Sequence, residues 1–497
     1  MDNNPLFWIF LFLAISPVLL VKYPPMVDVA QHAAQLESLH QIWIGNPLFT
    51  DLFYVQWFTP YLTGYLLTYF LYLFMPIDLA VRVVIGLSMA AIAPLSGVLL
   101  EEAGSDKRWQ WLIIPSMLAF AFYWGFHNYL VATPVGLFFL ILFIRYDKKP
   151  NPVKGVLLAA LSVFLFFSHV LVLGFTAMSA FMYLAGVHYK EPKVLLRRCL
   201  PLITPLPIIF GWLTLIRKGP SPVSIRHFVQ GFGLEQTRSF GEAVIKYFSE
   251  RLANLASAFS GLDLGVGIVL FALAIMAFPL IVGAKPSKRP ELWLPLAAGL
   301  AVYLLIPDYM MGVWFTYGRL GVFLVPLWFL PWRLELGKTP RFQFLAILLL
   351  AVWIGVSGVR FLRFSDDVKS FDALVDVMKP GERTLSLMVD AWSPHFYLPV
   401  YRHFPSWYQA EKHGVVDFSF ACYYPEMVLY RPEKTPRVGI GFDYQPLTFD
   451  WTEHGGDDYR YFVVRAYKDS GQDLFKGDFD KVKLIARSGD WWLYERK

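Results

Sequence analysis

Residues 342–362 read FQFLAILLLAVWIGVSGVRFL, and Arg363-Phe364-Ser365-Asp366-Asp367-Val368-Lys369 follows at once. The first string carries one charge, Arg360. At a rise of 1.5 Å per residue, roughly 20 apolar residues cross the hydrocarbon core of a bilayer. The second string is charged, and no run of that length and apolarity recurs after it. The junction near residue 363 therefore divides the chain into a long apolar part, 1–363, and a mixed part, 364–497.

Working back from that junction, runs of roughly 17–25 apolar residues recur at 5–22, 57–75, 79–100, 110–126, 129–145, 154–170, 171–187, 200–216, 262–283, 292–307 and 319–333. The whole chain of 497 residues is 56% hydrophobic and only 16% charged, with a mean hydropathy of +0.46. That is too little charge to cover a soluble surface. Aromatic residues make up 18%. Trp109, Trp111, Trp293 and Trp332 fall near the ends of apolar runs, where an interfacial belt is expected. The sequence predicts a polytopic α-helical membrane protein of 11–12 spans with a C-terminal soluble α/β domain. Met1 to Asn4 lacks a basic n-region and no small-residue cleavage site follows, so 5–22 is expected to be a retained first helix.

Charge sets the topology. Short basic stretches occur at Arg145–Lys154, Lys190–Arg198, Lys285–Arg289 and Arg333–Arg341, each two spans from the next, with Lys107 and Arg108 on the same side. The positive-inside rule makes that side cytoplasmic. The opposite side receives 217–261, 308–318 and the terminal domain. If every run spans, residues 23–56 fall on the cytoplasmic side. If 57–75 does not span, they join the terminal domain outside. Pro60, Gly64 and Pro76 in and beside that run favour a juxtamembrane or re-entrant helix. The net charge of +6 then needs no nucleic acid. Cys199 and Cys422 fall on opposite sides, so no disulfide between them is expected. There is no Asn-x-Ser/Thr sequon. Within 217–261, Ala243, Val244, Tyr247, Phe248, Leu252, Leu255 and Phe259 share one helical face. In the terminal part, Phe371–Met378 reads as a helix and Thr384–Val389, Tyr461–Arg465, Val482–Ile485 and Trp491–Tyr494 as strands. No Gly-rich phosphate loop, metal-type Cys/His cluster or nucleophile elbow is present.

The stretch Tyr23-Pro24-Pro25-Met26-Val27-Asp28-Val29-Ala30-Gln31-His32 follows the first run directly. Asp28 and His32 are four apart and share a face if a helix starts near Asp28. A carboxylate there can deprotonate a hydroxyl, or hold a metal jointly with His32, or simply cap the helix. His127 and Asn128 stand at the outer junction of two runs and His169 in the turn between two more. Such polar groups at membrane depth mark a site or cap helix ends. Arg319 opens a run just after the stretch containing Asp308. It suits a phosphate, or a snorkelling anchor, or an ion pair with Asp308. Arg217 and Lys218 form a second basic pair at the same interface, and Asp263 opens another run.

A first helix, an acidic residue just beyond the membrane in the first outer loop, many spans and an external terminal domain resemble the GT-C superfamily of membrane glycosyltransferases. In plan the chain is similar to protein mannosyltransferases, oligosaccharyltransferases and lipid A aminoarabinose transferases. Asp28 matches the position of the family's first-loop acid. Val27 and Val29 flank it and Met26 precedes it by two, so the family's paired acid is missing. Trp57–Tyr65 with Pro60 is similar to the family's Pro-containing juxtamembrane helix. The resemblance implies an inverting transferase in a bacterial inner membrane, with its terminal domain periplasmic. The donor would be a polyprenyl-phosphate-linked sugar and the acceptor a lipid or glycan of the envelope. Asp28 would act as base and His32 assist. Arg319 would hold the phosphate, with His127, Asn128, His169, Arg217 and Asp308 lining the substrate site. No cofactor is specified, and a divalent metal is an option at Asp28 and His32. A lipid-carrier transporter or flippase and a scaffold subunit of envelope glycan assembly are the rival expectations.

Overall fold

The computed structural model describes residues 5–216, 240–262, 266–310, 313–335, 337 and 339–497. The molecule is mostly helical, and a sheet lies in its C-terminal region. Among the described residues, four helices are long and apolar enough to cross a membrane: Ile77–Glu102, His127–Lys148, Val170–Val187 and Thr339–Val377. The pair Pro192–Ile203 and Leu206–Leu215, bent by 45°, makes a fifth if the two form one broken span. Shorter apolar helices at Pro5–Leu20, Pro152–Ser168, Val266–Ile281, Pro290–Leu305 and Thr316–Phe329 pack with them.

Several expectations need correction. Residues 110–126 do not form one helix. They run as short pieces, Gln110–Ile113, Ile114–Leu118 and Phe120–Trp124, broken at Pro115 and ended by Gly125. Nearly every side chain in this stretch is buried, and irregular backbone at membrane depth is tolerated where protein surrounds it. Trp109, Trp111 and Trp332 are also buried rather than arrayed as a belt. The Trp109 indole stacks on Phe329 and donates to the Trp332 carbonyl. Of the run 57–75, only Leu62–Tyr72 is helical. Eleven residues reach about half the hydrocarbon thickness. The helix Phe240–Ser260 exposes Phe248 and Leu252 and buries Arg251, Ala258 and Phe259. Its inward face is therefore offset from the apolar face read in the sequence. Arg251 faces inward because its guanidinium stacks on Tyr247 and Tyr317 and donates to the Ile306 carbonyl at 2.7 Å.

The last apolar run and the first helix of the terminal part are one continuous helix, Thr339–Val377. It carries the chain from the helical bundle into a five-stranded sheet. Arg383–Met388 is flanked in parallel by Val415–Asp417 and Tyr461–Arg465, and Trp491–Arg496 and Val482–Ser488 complete the sheet antiparallel.

The first loop is built into this terminal part. Its helix, Val29–Trp43, is buried almost throughout, polar residues included. Gln31 and Gln35, one turn apart, each pair with peptide groups opposite. The Gln31 amide donates to the Phe418 carbonyl at 2.8 Å and accepts from Phe420 N–H at 2.9 Å. Gln35 does the same with both backbone groups of Val428. Glu37, fully buried, accepts from Gln41 at 2.7 Å and bonds His413 at 2.6 Å. Further on, Phe53–Val55 pairs antiparallel with Val428–Tyr430. Buried polar groups must be partnered, and here the partners come from a segment nearly 400 positions away.

Candidate functional site

Asp28 stands where the chain turns into the first-loop helix. Val27 N–H donates to the Tyr123 carbonyl at 2.9 Å and Asp28 N–H to the Trp124 carbonyl at 3.0 Å. This close approach needs Gly125, whose φ is +78° and whose Cβ, if present, would lie 2.8 Å from Val29 N. Asp28 is the N-cap residue, but its side chain makes no capping bond. Instead Oδ1 accepts from His403 Nδ1 at 3.0 Å. His403 Nε2 bonds Asp443 Oδ2 at 3.2 Å on the other side. Burial opposes a charge on His403, but the bonds to Asp28 and Asp443 outweigh it and push its pKa up to about 9. His403 is thus an imidazolium held between two carboxylates.

His32 lies one turn beyond Asp28. Its Nδ1 is 2.6 Å from the Tyr65 hydroxyl, which in turn lies 2.5 Å from Glu426 Oε2. Tyr65 comes from the short helix Leu62–Tyr72 and Glu426 from the terminal part. Burial raises the Glu426 carboxyl to about 8, even though Tyr65 and Arg319 favour its charge. His32 is driven well below the usual imidazole range, first by burial and then by His127, Arg319 and His403 nearby.

The opposite wall is made of helix ends. Arg319, in the first turn of Thr316–Phe329, is buried with its guanidinium 3.4 Å from the Phe126 ring. Nη2 donates to the Trp314 carbonyl at 3.1 Å, and Nε has no acceptor. Among the described residues, no carboxylate lies within ion-pair distance of it. His169 caps Val170–Val187, its Nδ1 accepting from Leu171 N–H. That bond assigns the proton to Nε2, which is buried with no acceptor. Asn128 is buried beside Gly64, where a Cβ would fall 2.3 Å from its Oδ1. Phe315, at φ +58°, is held against Trp124 with ring centroids 4.1 Å apart.

Asp28, His32, Asn128, His169 and Arg319 line one cavity together with His403, Glu426, Asp443 and Tyr444. Five of the residues singled out in the sequence therefore meet. His127 stands behind His32, their rings 5.8 Å apart, and bonds Thr68 at 2.8 Å. Asp308 does not line the cavity. Its backbone carbonyl accepts from Thr316 N–H at 3.1 Å, and burial raises its carboxyl to about 6. Arg217, Lys218 and Asp263 lie outside the described residues. His403, Glu426 and Asp443 were not anticipated. The one hint was Glu426, a lone acid after the aromatic run Phe418-Ser419-Phe420-Ala421-Cys422-Tyr423-Tyr424-Pro425.

Asp28 and His32 do not fit a shared metal as they stand. The nearest partner of Asp28 is a cation, and His32 Nδ1 is committed to Tyr65. Among the described residues, no group of three His, Cys, Asp or Glu side chains is placed to hold a metal ion. A second cavity adjoins the first and shares Trp124, Phe315 and Tyr444 with it; Phe120, Tyr123, Trp392 and Leu398 make it predominantly apolar. No protein-family model matches the chain, and no curated protein matches it either.

Proposed function

We propose that the protein is a GT-C-like membrane glycosyltransferase that moves a sugar from a polyprenyl-phosphate donor to an envelope acceptor at the outer face of a bacterial inner membrane. The observation that carries this reading is Arg319. A buried guanidinium with no carboxylate partner is costly unless an anion completes it. Arg319 and the free Nε2–H of His169 face the same cavity as Asp28 and His32. A phosphate seated against those donors places its glycosidic carbon toward the acid and the imidazole. The apolar cavity alongside suits an isoprenoid chain. External compartments lack nucleotide sugars, so a lipid-linked donor fits the site.

In this reading the acceptor hydroxyl loses its proton to a base as its oxygen bonds the anomeric carbon. The bond from that carbon to the phosphate oxygen breaks, and the electron pair leaves on the carrier phosphate. Arg319 and His169 stabilise that departing charge. The basic short loops at Arg145–Lys154 and Lys285–Arg289 support a non-cytoplasmic cavity, by the positive-inside rule. The polar groups gather at one end of the helices, which favours an interfacial enzyme over a carrier that conducts lipid across the bilayer.

The test is mass spectrometry of lipids that co-purify with the wild type and with Arg319→Ala. A polyprenyl phosphate or its glycosylated form in the first, lost in the second, supports the reading. Bulk phospholipid alone in both would move the protein to the scaffold class.

A further inference from the structure

We propose that Glu426, Tyr65 and His32 form a proton relay in which the C-terminal region supplies the terminal acceptor. In this relay His32 Nε2, rather than Asp28, takes the proton of the acceptor hydroxyl. The inference rests on the transferase reading above for its chemistry, but not for its geometry.

Three elements meet in a line. His32 belongs to the first-loop helix, Tyr65 to the short helix after it and Glu426 to the terminal part. The two contacts, 2.6 Å and 2.5 Å, are of hydrogen-bond length. Nδ1 of His32 is used by Tyr65, which leaves Nε2 as the nitrogen available to the cavity that His32 lines. Tyr65 has one proton and sits between two groups that each accept or donate. When Glu426 is ionised, Tyr65 donates to it and must accept from Nδ1–H, so Nε2 carries a lone pair. When Glu426 is protonated it donates to Tyr65, Tyr65 donates to Nδ1, and Nε2 carries the proton. One proton on Glu426 therefore sets the tautomer of His32 without charging it.

The transfer step balances on this chain. The acceptor proton goes to Nε2, the Nδ1 proton to the Tyr65 oxygen and the Tyr65 proton to Glu426. His32 ends neutral in its other tautomer and Glu426 ends as the acid. No charge is left on the buried imidazole, where burial would penalise it. Asp28 is less suited to the same task, because its carboxylate already accepts from the imidazolium of His403. Asp28 and His403 are positioning residues in this scheme.

The charged and titratable groups facing the relay are Asp28 on the first-loop helix, Tyr61 at the start of the short helix, His127 and Arg319 from the membrane helices, and His403 from the terminal part. Arg319 favours the ionised form of Glu426 and Asp28 opposes it. Glu426 is raised to about 8, so the base-competent tautomer of His32 should appear as pH rises through that region.

The experiment uses the full chain with ¹⁵N-labelled histidine, reading ring tautomers by long-range ¹H–¹⁵N correlation between pH 6 and 10. The His32 signal is assigned by its loss in His32→Gln. The expected result is a neutral His32 that passes from Nε2–H to Nδ1–H with a midpoint near the Glu426 value. In Glu426→Gln it stays Nε2–H throughout, and Glu426→Asp restores the change with a shifted midpoint. A tautomer that ignores pH, or that changes equally in Glu426→Gln, overturns the relay. A second measurement compares the ratio of glycosylated to free carrier lipid co-purifying with each form. Glu426→Gln and His32→Gln should retain the lipid and enrich its glycosylated form at least tenfold, as expected for loss of a general base. An unchanged ratio overturns the relay's role in transfer. Absence of carrier lipid from the wild type sinks the transferase reading instead, while the tautomer result still decides the relay.

Discussion

The two walls of the cavity are built on opposite principles. The helix-end wall presents donors without acceptors: the Arg319 guanidinium, with Nε unbonded, and His169 Nε2–H. The wall contributed by the terminal part presents groups already paired: His403 between Asp28 and Asp443, and Glu426 against Tyr65. Unpaired buried donors await a ligand of opposite charge. Paired ones are preorganised and hold a proton pattern. One wall is thus suited to binding and the other to moving protons, and mutations should separate the two.

The largest effect is expected at Arg319. Arg319→Ala should lower carrier-lipid occupancy by a hundredfold or more, since charged, bidentate phosphate contacts are among the strongest hydrogen bonds available. Glu426→Gln should leave occupancy within about twofold and act only on turnover. If both variants lose the lipid equally, the walls do not divide the work.

The next effect is on stability. His403→Ala leaves Asp28 and Asp443 buried without their shared cation, a change that costs about 3 kcal/mol. The same residue predicts a pH dependence. His403 is raised from 6.5 to about 9, so its contribution is fully present below pH 6.5 and is lost as pH rises through about 9. Glu426, raised from 4.5 to about 8, adds a loss of the same sign over a lower window. Thermal unfolding should therefore fall from about pH 7.5 to pH 10, above the window in which the depressed His32 contributes with the opposite sign. His403→Ala should flatten the upper part of that curve. A wild-type midpoint that rises over this range would contradict the paired-wall picture.

These walls were not equally legible in the sequence. Arg319, Asn128 and His169 stand out because they are polar residues at the ends of apolar runs, where capping and anchoring compete with a site. Asp28 and His32 stand out because two prolines and an apolar run frame them. The contrast between an apolar helical part and a sheet-containing C-terminal region followed from hydropathy and strand patterning, although one helix, Thr339–Val377, runs across the expected boundary. His403, Glu426 and Asp443 sit in loops of mixed composition, where one more acid or histidine is unremarkable. What makes His403 and Glu426 special is contact with residues more than 350 positions earlier, which periodicity does not encode; Asp443 joins them through His403. The same holds for Gln31 and Gln35. They are polar residues one turn apart, and they are buried because the backbone of residues 418–428 lies against them. The segment 110–126 failed in the other direction. Its composition satisfies a helix, but Pro115 and surrounding protein allow it to be broken.

A smaller effect sharpens the roles of the two acids that face each other across His32. Asp28→Asn keeps an oxygen that accepts from His403, so the imidazolium stays in place. Transfer should fall by less than about tenfold, whereas Glu426→Gln should fall further. A loss from Asp28→Asn equal to or larger than that from Glu426→Gln would return the base to Asp28. Measuring both in one lipid-turnover assay settles the order.

The smallest effect should come from Asp308, the one acid close to Arg319 in sequence that the cavity leaves out. Burial raises it from 3.8 to about 6, although Arg251 and Arg319 favour its charge, so its cost to stability is absent below the unfolded value, grows between the two and is complete above about 6. Asp308→Asn removes the charge and keeps the shape. The variant should exceed the wild type at both pH 5 and pH 8, and by about 1 kcal/mol more at pH 8, with carrier lipid fully retained. Melting temperature at the two pH values and lipid occupancy check both halves. Loss of lipid from Asp308→Asn would show that the 306–316 loop binds as part of the donor wall. The boundary between binding wall and supporting structure would then lie further from Arg319 than its geometry indicates.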